Sequence, residues 1–353
     1  MRRYIKYLSL LAIMVVSCQK IGSNTDRVFS EGGLISFSTR VETRTPLITE
    51  LNGETFGVYG YKFSNLTNWG TYKTGATPNL FYNLEVNCDE DGICEYYIDS
   101  ETDIEGQEQW ELSQRYSYFA YFPYNEDVNG LEPSASDKMN DPYLVYTLPL
   151  SSEELVNPDS MIDVMTAKVT DWSPSNGTVV RFEFNHRLFC IELYGHNFNT
   201  DEVVISDLSM TISGIRYNEA TIYLDGSIPT QPSSVNWSHT DKVTFPILDS
   251  DEQTSISGST ELSLTENKLI ALIPQTYKAK YEGEVPVGLT IRIDFKKKDG
   301  VSWTSVSREA TYNIDFVEKL KYGLDLNFVG SDVILVQAEP ATWDSKNIQH
   351  TFD

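Results

Sequence analysis

LISFSTRV, residues 34–41, decides how the rest of the chain is read. Ile35, Phe37, Thr39 and Val41 fall on one side of an extended backbone, while Ser36, Ser38 and Arg40 fall on the other. Successive side chains leave a strand on opposite faces, so a repeat of two marks a half-buried strand. Comparable segments recur. ETFGVYGYKF (54–63) reads as a second strand, with Gly57 and Gly60 as points of close approach or bulging. YSYFAYFPY (116–124) is a dense aromatic strand closed by a proline. TVVRFEFNHRLFCIELYG (178–195) reads as a strand pair or a bulged strand, because its apolar phase switches near His186–Phe189. Further strands are expected in residues 202–212, 220–226, 267–275, 288–295, 322–328 and 332–338. Residues 125–160 are rich in Asp, Asn, Ser and Pro and read as long loops, and FVEKLKYG (316–323) makes at most a turn or two of helix. Short strands at this density, with turn residues between them, indicate an all-β protein of antiparallel sandwiches.

At 353 residues the chain suits two domains better than one or three. A formal charge of −24 argues against nucleic acid, whose phosphates such a surface repels. Arg2, Arg3 and Lys6 precede a mostly apolar run from Leu8 to Val16. That run is too short for a bilayer core, which needs roughly 20 helical residues. It has the length of a secretory signal's apolar region, about 7–15 residues. It ends Val15-Val16-Ser17-Cys18, similar to the bacterial lipobox, in which the chain is cut before the cysteine and the thiol is acylated. A plain export signal that happens to hold a cysteine is the alternative.

The remaining cysteines divide by context. Cys88 and Cys94 flank an Asp91-Gly92 turn, where an oxidising compartment permits a bridge that would be only a local staple. Cys190 reads as a buried, unpaired core residue. Signals for chemistry are weak. His186 lies on an apolar strand face and reads as a partnered core histidine, with His196 ten positions on. Asp89 and Asp91 could face a calcium ion, yet the EF-hand spacing and its distal Glu are missing, so solvated turn charges are the better reading. No G-x-S-x-G elbow, zinc spacing or cofactor motif occurs, so an enzyme is not expected. Asn65, Asn176 and Asn236 begin formal glycosylation sequons.

Taken in order, four groups of segments resemble the fimbrillin family, the subunits of type V pili in gut and oral Gram-negative bacteria. LISFSTRVETRT with ETFGVYGYKF is the first group. LFYNLEVNCDEDGICEYY, Trp110 and YSYFAYFPY form the second. DSMIDVMTAKVTD with VVRFEFNHRLFCIEL is the third, and LKYGLDLNFVGSDVILVQAEPATW closes the series. The match departs at Cys88, Cys94 and Cys190, and in the tail DSKNIQHTFD.

The resemblance implies two transthyretin-like antiparallel β-sandwich domains in tandem. A lipoprotein signal would occupy 1–17, a lipid-anchored tether 18–32, an N-terminal domain 33–172 and a C-terminal domain 173–353. It further implies a pilus subunit, or a tip or anchor accessory, at the outer membrane and without catalysis or cofactor. In such proteins an arginine-specific protease removes the first strand and a neighbour's strand replaces it. Here Ile35, Phe37 and Val41 would fill the groove, Arg44 and then Arg40 are the candidate cleavage positions, and Cys18 takes the lipid. Leu324, Leu326, Phe328, Val333 and Leu335 are candidates for the donated surface, with Val336 beside them. Expected partners are other pilus subunits, outer-membrane lipid, and a host glycan or protein receptor. The competing reading is a surface lipoprotein that binds glycans or host ligands through exposed Trp69, Trp237 and Trp343.

Overall fold

Nearly every alternating segment becomes a strand. The computed structural model describes residues 34–342 apart from 42–50, 91–92, 97–107, 125–129, 135–141, 153–154, 157–159, 216, 228–241, 259–260, 266–267, 276–288, 313–315 and 338–339. The first half contributes β1 (Ser36–Val41), β2 (Thr55–Ser64), β3 (Phe81–Cys88), β4 (Cys94–Glu95), β5 (Gln114–Phe122), β6 (Leu131–Pro133), β7 (Tyr143–Thr147), β8 (Met165–Trp172) and β9 (Val179–His186). The second half contributes β10 (Phe189–Asn197), β11 (Val203–Ser213), β12 (Glu219–Tyr223), β13 (Lys242–Pro246), β14 (Thr254–Ile256), β15 (Leu262–Ser263), β16 (Ala271–Leu272), β17 (Leu289–Asp299), β18 (Ser302–Tyr312), β19 (Leu320–Val329), β20 (Asp332–Gln337) and β21 (Ala341–Thr342). Helix among the described residues is short: α1 (Trp69–Tyr72), a 3-10 turn at Pro174–Asn176 and 3-10 backbone at Ser160. The segment read as a turn or two of helix before β19 contains a turn at 318–319.

Seven strands close into a ring in the order β1-β4-β3-β2-β5-β8-β9. Its interior is packed by Ile35, Phe37, Phe56, Phe81, Tyr118, Phe182 and Phe184 among others. The second half builds two sheets. One runs β15-β10-β19-β20 with β16 and β21 attached, and the other runs β13-β11-β17-β18 with β14 attached. Ile191, Leu193, Met210, Ile291, Leu324, Leu326 and Phe328 lie in the core that the two sheets share. A third cluster joins the halves: Tyr59, Tyr61, Phe119 and Tyr121 outside the ring meet Leu144, Tyr146 and Ile222 of the sheet β12-β7-β6. Strand β5 is therefore buried on both faces, which explains an aromatic run without polar alternation.

Four sequence expectations are corrected. Among the described residues two strand pairings are parallel, β1 with β9 and β10 with β19, so the sheets are not uniformly antiparallel. The 125–160 region holds β6 and β7 rather than loops alone, and Leu144 and Tyr146 of β7 alternate into the third cluster. The segment at 178–195 does form two strands, but they do not pair with each other. Its two strands separate at Arg187–Leu188, β9 joining the ring and β10 the second half. The ring thus takes a strand from beyond residue 173, and on pairing alone the first unit extends to His186.

Gly57 and Gly60 are points of close approach. A Cβ on Gly57 would lie 2.2 Å from Tyr121 Cε1, and one on Gly60 would lie 2.7 Å from Phe81 Cδ2. The β2–β3 register also shifts between Val58 and Gly60. Tyr121 is fully buried and cannot swing aside. Gly57→Ala is expected to cost about 1–3 kcal/mol through overpacking. A urea midpoint equal to that of the parent protein would show that the outer face of β2, against Tyr121, has room there.

Candidate strand-exchange site

The slot occupied by β1 begins with main-chain pairing. β1 runs parallel to β9 from Ser36↔Val179 to Val41↔Phe184. On its other side it meets β4 at a single pair, Phe37↔Cys94. At its start the Ile35 N–H donates to Glu108 O at 2.8 Å, and the Tyr96 hydroxyl donates to Ile35 O at 3.1 Å. Ser36 Oγ donates to Thr178 O at 3.2 Å.

Apolar burial adds to this. Ile35 is 0% and Phe37 3% exposed. The Phe37 ring stacks on Phe182 at 5.5 Å and meets Tyr118 edge-on at 5.6 Å. Tyr96 at 5.5 Å and Phe81 at 6.1 Å complete its aromatic box. Thr39 is half-buried. Arg40 and Val41 are placed by their pairing opposite Glu183 and Phe184. Arg44 lies outside the described residues, as does Cys18.

The neighbours of β1 depend on it. β9 pairs with β8 only at Met165↔His186 and Thr166↔Asn185, so β1 satisfies most of its length. β4 has two residues and is tied to β3 by the Cys88–Cys94 disulfide, whose cysteines are both buried in the ring. Without β1 the ring would be open between β4 and β9, and the β9 core residues Val180, Phe182 and Phe184 would lose their cover. Unpaired edge groups and uncovered apolar surface both favour capture of another strand.

At the other end of the chain the candidate donor residues separate into two groups. Leu324, Leu326 and Phe328 are fully buried on β19, which is paired to β10 on one side and β20 on the other. Donating them would require the second core to open. Val333 and Leu335 lie on β20, an outer strand of the same sheet. Val333 is 4% exposed, Leu335 is partly buried, and the Arg308 guanidinium donates to Val333 O.

Other singled-out residues have local explanations. His186 Nδ1 lies 2.8 Å from Asp163 Oδ1 and is buried with it, whereas His196 faces Asp325 on the second-half sheet at 3.4 Å. Asp89 Oδ1 accepts the Ile93 N–H at 2.8 Å and closes the disulfide hairpin; Asp91 lies outside the described residues. Among the described residues no group of three side chains is placed to hold a metal. Cys190 is buried in β10 with a free thiol, and burial pushes its pKa well up, which makes it inert. Trp69, named as an exposed platform, is instead 8% exposed and packed among Tyr61, Phe63 and Phe119. Trp237 and Trp343 lie outside the described residues. Sequence reasoning missed the slot walls Phe81, Tyr96, Tyr118 and Phe182. The alternation of Phe182 and Phe184 was their one local signal.

Fold and slot together define an all-β protein whose first unit is completed by its own N-terminal strand, held mainly along one edge. The chain belongs to the fimbrillin-like family, whose model matches residues 39–333. Its fold is similar to that of a candidate cell adhesion protein from Bacteroides ovatus ATCC 8483, with a TM-score of 0.56 and 14% identity over 90% of this chain and 100% of that one. A second candidate cell adhesion protein, from Bacteroides uniformis ATCC 8492, gives a TM-score of 0.52 and 16% identity over 88% and 98% of the two chains. No curated protein matches the sequence.

Proposed function

We propose that this chain is a structural subunit, or a tip or anchor accessory, of a cell-surface pilus that contributes to adhesion. In this reading it is exported as a lipoprotein, held at the outer membrane through Cys18, and assembled by exchange of its first strand. The ring and the paired sheets of the second half then serve as two transthyretin-like sandwiches in tandem. One observation carries the reading: β1 closes the ring with Ile35 and Phe37 buried, yet most of its pairing is to the single strand β9. The description of the B. ovatus and B. uniformis proteins as candidate cell adhesion proteins supports it.

The mechanism follows from strand edges. Cleavage after Arg44, or after Arg40, frees β1 from the chain. Its departure uncovers two side chains' worth of slot, about 1.5–3 kcal/mol for each of Ile35 and Phe37, together with the free edge of β9. A strand from another subunit restores both, with main-chain hydrogen bonds supplying affinity and alternate side chains supplying register. β20, paired on one side only, is the segment of this chain that can be donated onward, through Val333 and Leu335. Head-to-tail addition of this kind does not close and therefore builds a filament.

The test is biochemical. Unboiled extracts of surface material should contain this chain in SDS-resistant complexes above its monomer mass, collapsing to monomer on boiling. A chain that runs only as monomer in pilus preparations would overturn the assembly reading. The glycan-binding alternative is left without its described platform, since Trp69 is buried.

A further inference from the structure

The outer face of the second-half sheet carries a small patch that strand exchange does not use. β10, β19 and β20 lie side by side there, with His196 opposite Asn327 and Asn327 opposite Ile334. The Phe198 N–H donates to Phe328 O at 2.9 Å, which continues the pairing one residue past β10. Alternation turns Asp325, Asn327 and Val329 away from Leu324, Leu326 and Phe328, which fill the core. We infer that this face binds a neutral, hydroxyl-rich saccharide, with Asn327 accepting from a hydroxyl and Phe198 lying against an apolar face of the sugar. This site rests on the adhesion reading above, not on strand exchange.

The amide points to a ligand. Asn327 is 5% exposed, and its Oδ1 has no hydrogen-bond partner among the described residues. A buried acceptor left unpaired carries its full desolvation penalty, which an incoming donor relieves. Asp325, buried two positions earlier, lies 3.4 Å from His196 Nε2 and holds that ring beside the amide. The His196 ring is in turn nearly parallel to that of Phe198, at 19° with centroids 6.3 Å apart. Phe198, Val329 and Ile334 stay exposed around this polar centre although all three are large and apolar. Apolar contact with a few placed polar groups is how small-molecule sites fix orientation.

Size and charge select the occupant. From Asp325 to Val329 and from β10 to β20 the patch spans about 13 by 10 Å, taking the usual strand rise and spacing. A stable protein partner covers about 800 Å² on each side, several times that area, whereas one or two sugar rings fit it. A formal charge of −24 repels carboxylated or sulfated sugars and opposes a second copy of the chain as well. Lys321, on the same face, is held by Glu192 at 2.9 Å, and Asp332 stands exposed at the margin. The polar centre lies on β10 and β19, the strands that exchange leaves in place.

The test applies the purified full chain to immobilised oligosaccharides ending in glucose, galactose, mannose, N-acetylglucosamine or N-acetylgalactosamine, beside sialylated and sulfated ones. The chain should be retained on at least one neutral probe. Phe198→Ala and Asn327→Leu should each weaken that binding at least about tenfold, while Leu66→Ala, an exposed leucine of the first unit, should leave it unchanged. Asn327→Leu should also melt at or above the parent temperature, because it removes an acceptor that has no partner. That readout separates lost binding from lost fold, and exposed Phe198 decides the matter if the leucine variant does not fold. Silence on every neutral probe, or full binding by both variants, would overturn the inference. Stronger retention on the sialylated or sulfated probes would overturn the neutral ligand. Dimers in sedimentation that Phe198→Ala abolishes, with no saccharide retained, would give the face to a second copy instead. None of these outcomes alters the SDS-resistant complexes by which the assembly reading is judged.

Discussion

Replacing Phe37 by alanine is expected to destabilise the first unit by about 3–5 kcal/mol, the range for truncating a buried phenylalanine. Domains are stable by only about 5–15 kcal/mol, so this one change should remove a large part of the margin. The side chain is 3% exposed, and four aromatic rings lose their common partner when it goes. The residue two before β1 supplies a control: Leu34, 42% exposed, should tolerate alanine within about 0.5 kcal/mol. Chemical denaturation followed by tryptophan fluorescence would check both, since Trp110 packs against Tyr116 and Tyr118 inside the ring. A Phe37→Ala midpoint as high as that of the parent would mean that β1 contributes little to closing the ring.

Arg187→Ala should cost about as much, 3–5 kcal/mol by the usual range of about that size for breaking a buried ion pair. Arg187 sits between β9 and β10, where the chain passes from the ring to the second half, and its side chain is 1% exposed. Its guanidinium donates to Glu318 Oε1 at 3.3 Å, to Gly226 O at 3.5 Å and to Ser227 O. Alanine would leave Glu318 without its cation and two carbonyls without a donor. Burial raises the Glu318 carboxyl pKa above its ordinary 4.5 even though Arg187 opposes the shift. A carboxyl with a raised folded-state pKa binds its proton more tightly folded than unfolded. Its contribution to stability is thus fullest below pH 4.5 and is lost as pH rises through the raised value. Glu318→Gln should therefore flatten the stability–pH slope just above that point. Thermal melts across that interval measure both effects, and an Arg187→Ala melt unchanged from the parent would contradict the structural role.

Much of this was legible in advance because it is local. The period of two at Ile35 and Phe37, the aromatic density of β5 and the closeness of Cys88 to Cys94 are properties of a few neighbouring residues. The close approach at Gly57 was readable for the same reason. What escaped was pairing at long range. Nothing within LISFSTRV says that its partner is the parallel strand β9, more than a hundred residues away. Nor does DLNFV announce that β19 ends up at the centre of a sheet and β20 at its margin. Trp69 looked exposed because its neighbours Asn68, Gly70 and Thr71 are polar or small, whereas its burial is set by Tyr61 and Phe119 on other strands. β6 and β7 were hidden by flanking Asp, Asn and Pro, and only packing against the outer face of the ring reveals their apolar side.

The slot follows the same division. Its fillers announced themselves, while its walls were assembled from β3, β5, β9 and Tyr96 after β4, which no single window of sequence displays. The disulfide fixes the short β4 opposite Phe37, so the far wall holds its place with only two strand residues.

One measurement bears most directly on the claim that a ring completed by its own detachable strand becomes a ring completed by another's: N-terminal sequencing of the chain recovered from SDS-resistant surface complexes. A first residue of Thr45, or of Val41, is the predicted result, because it places β1 or most of it outside the assembled protein. A first residue of Cys18 in those complexes would contradict the account, since the slot would then still be filled by the chain's own strand.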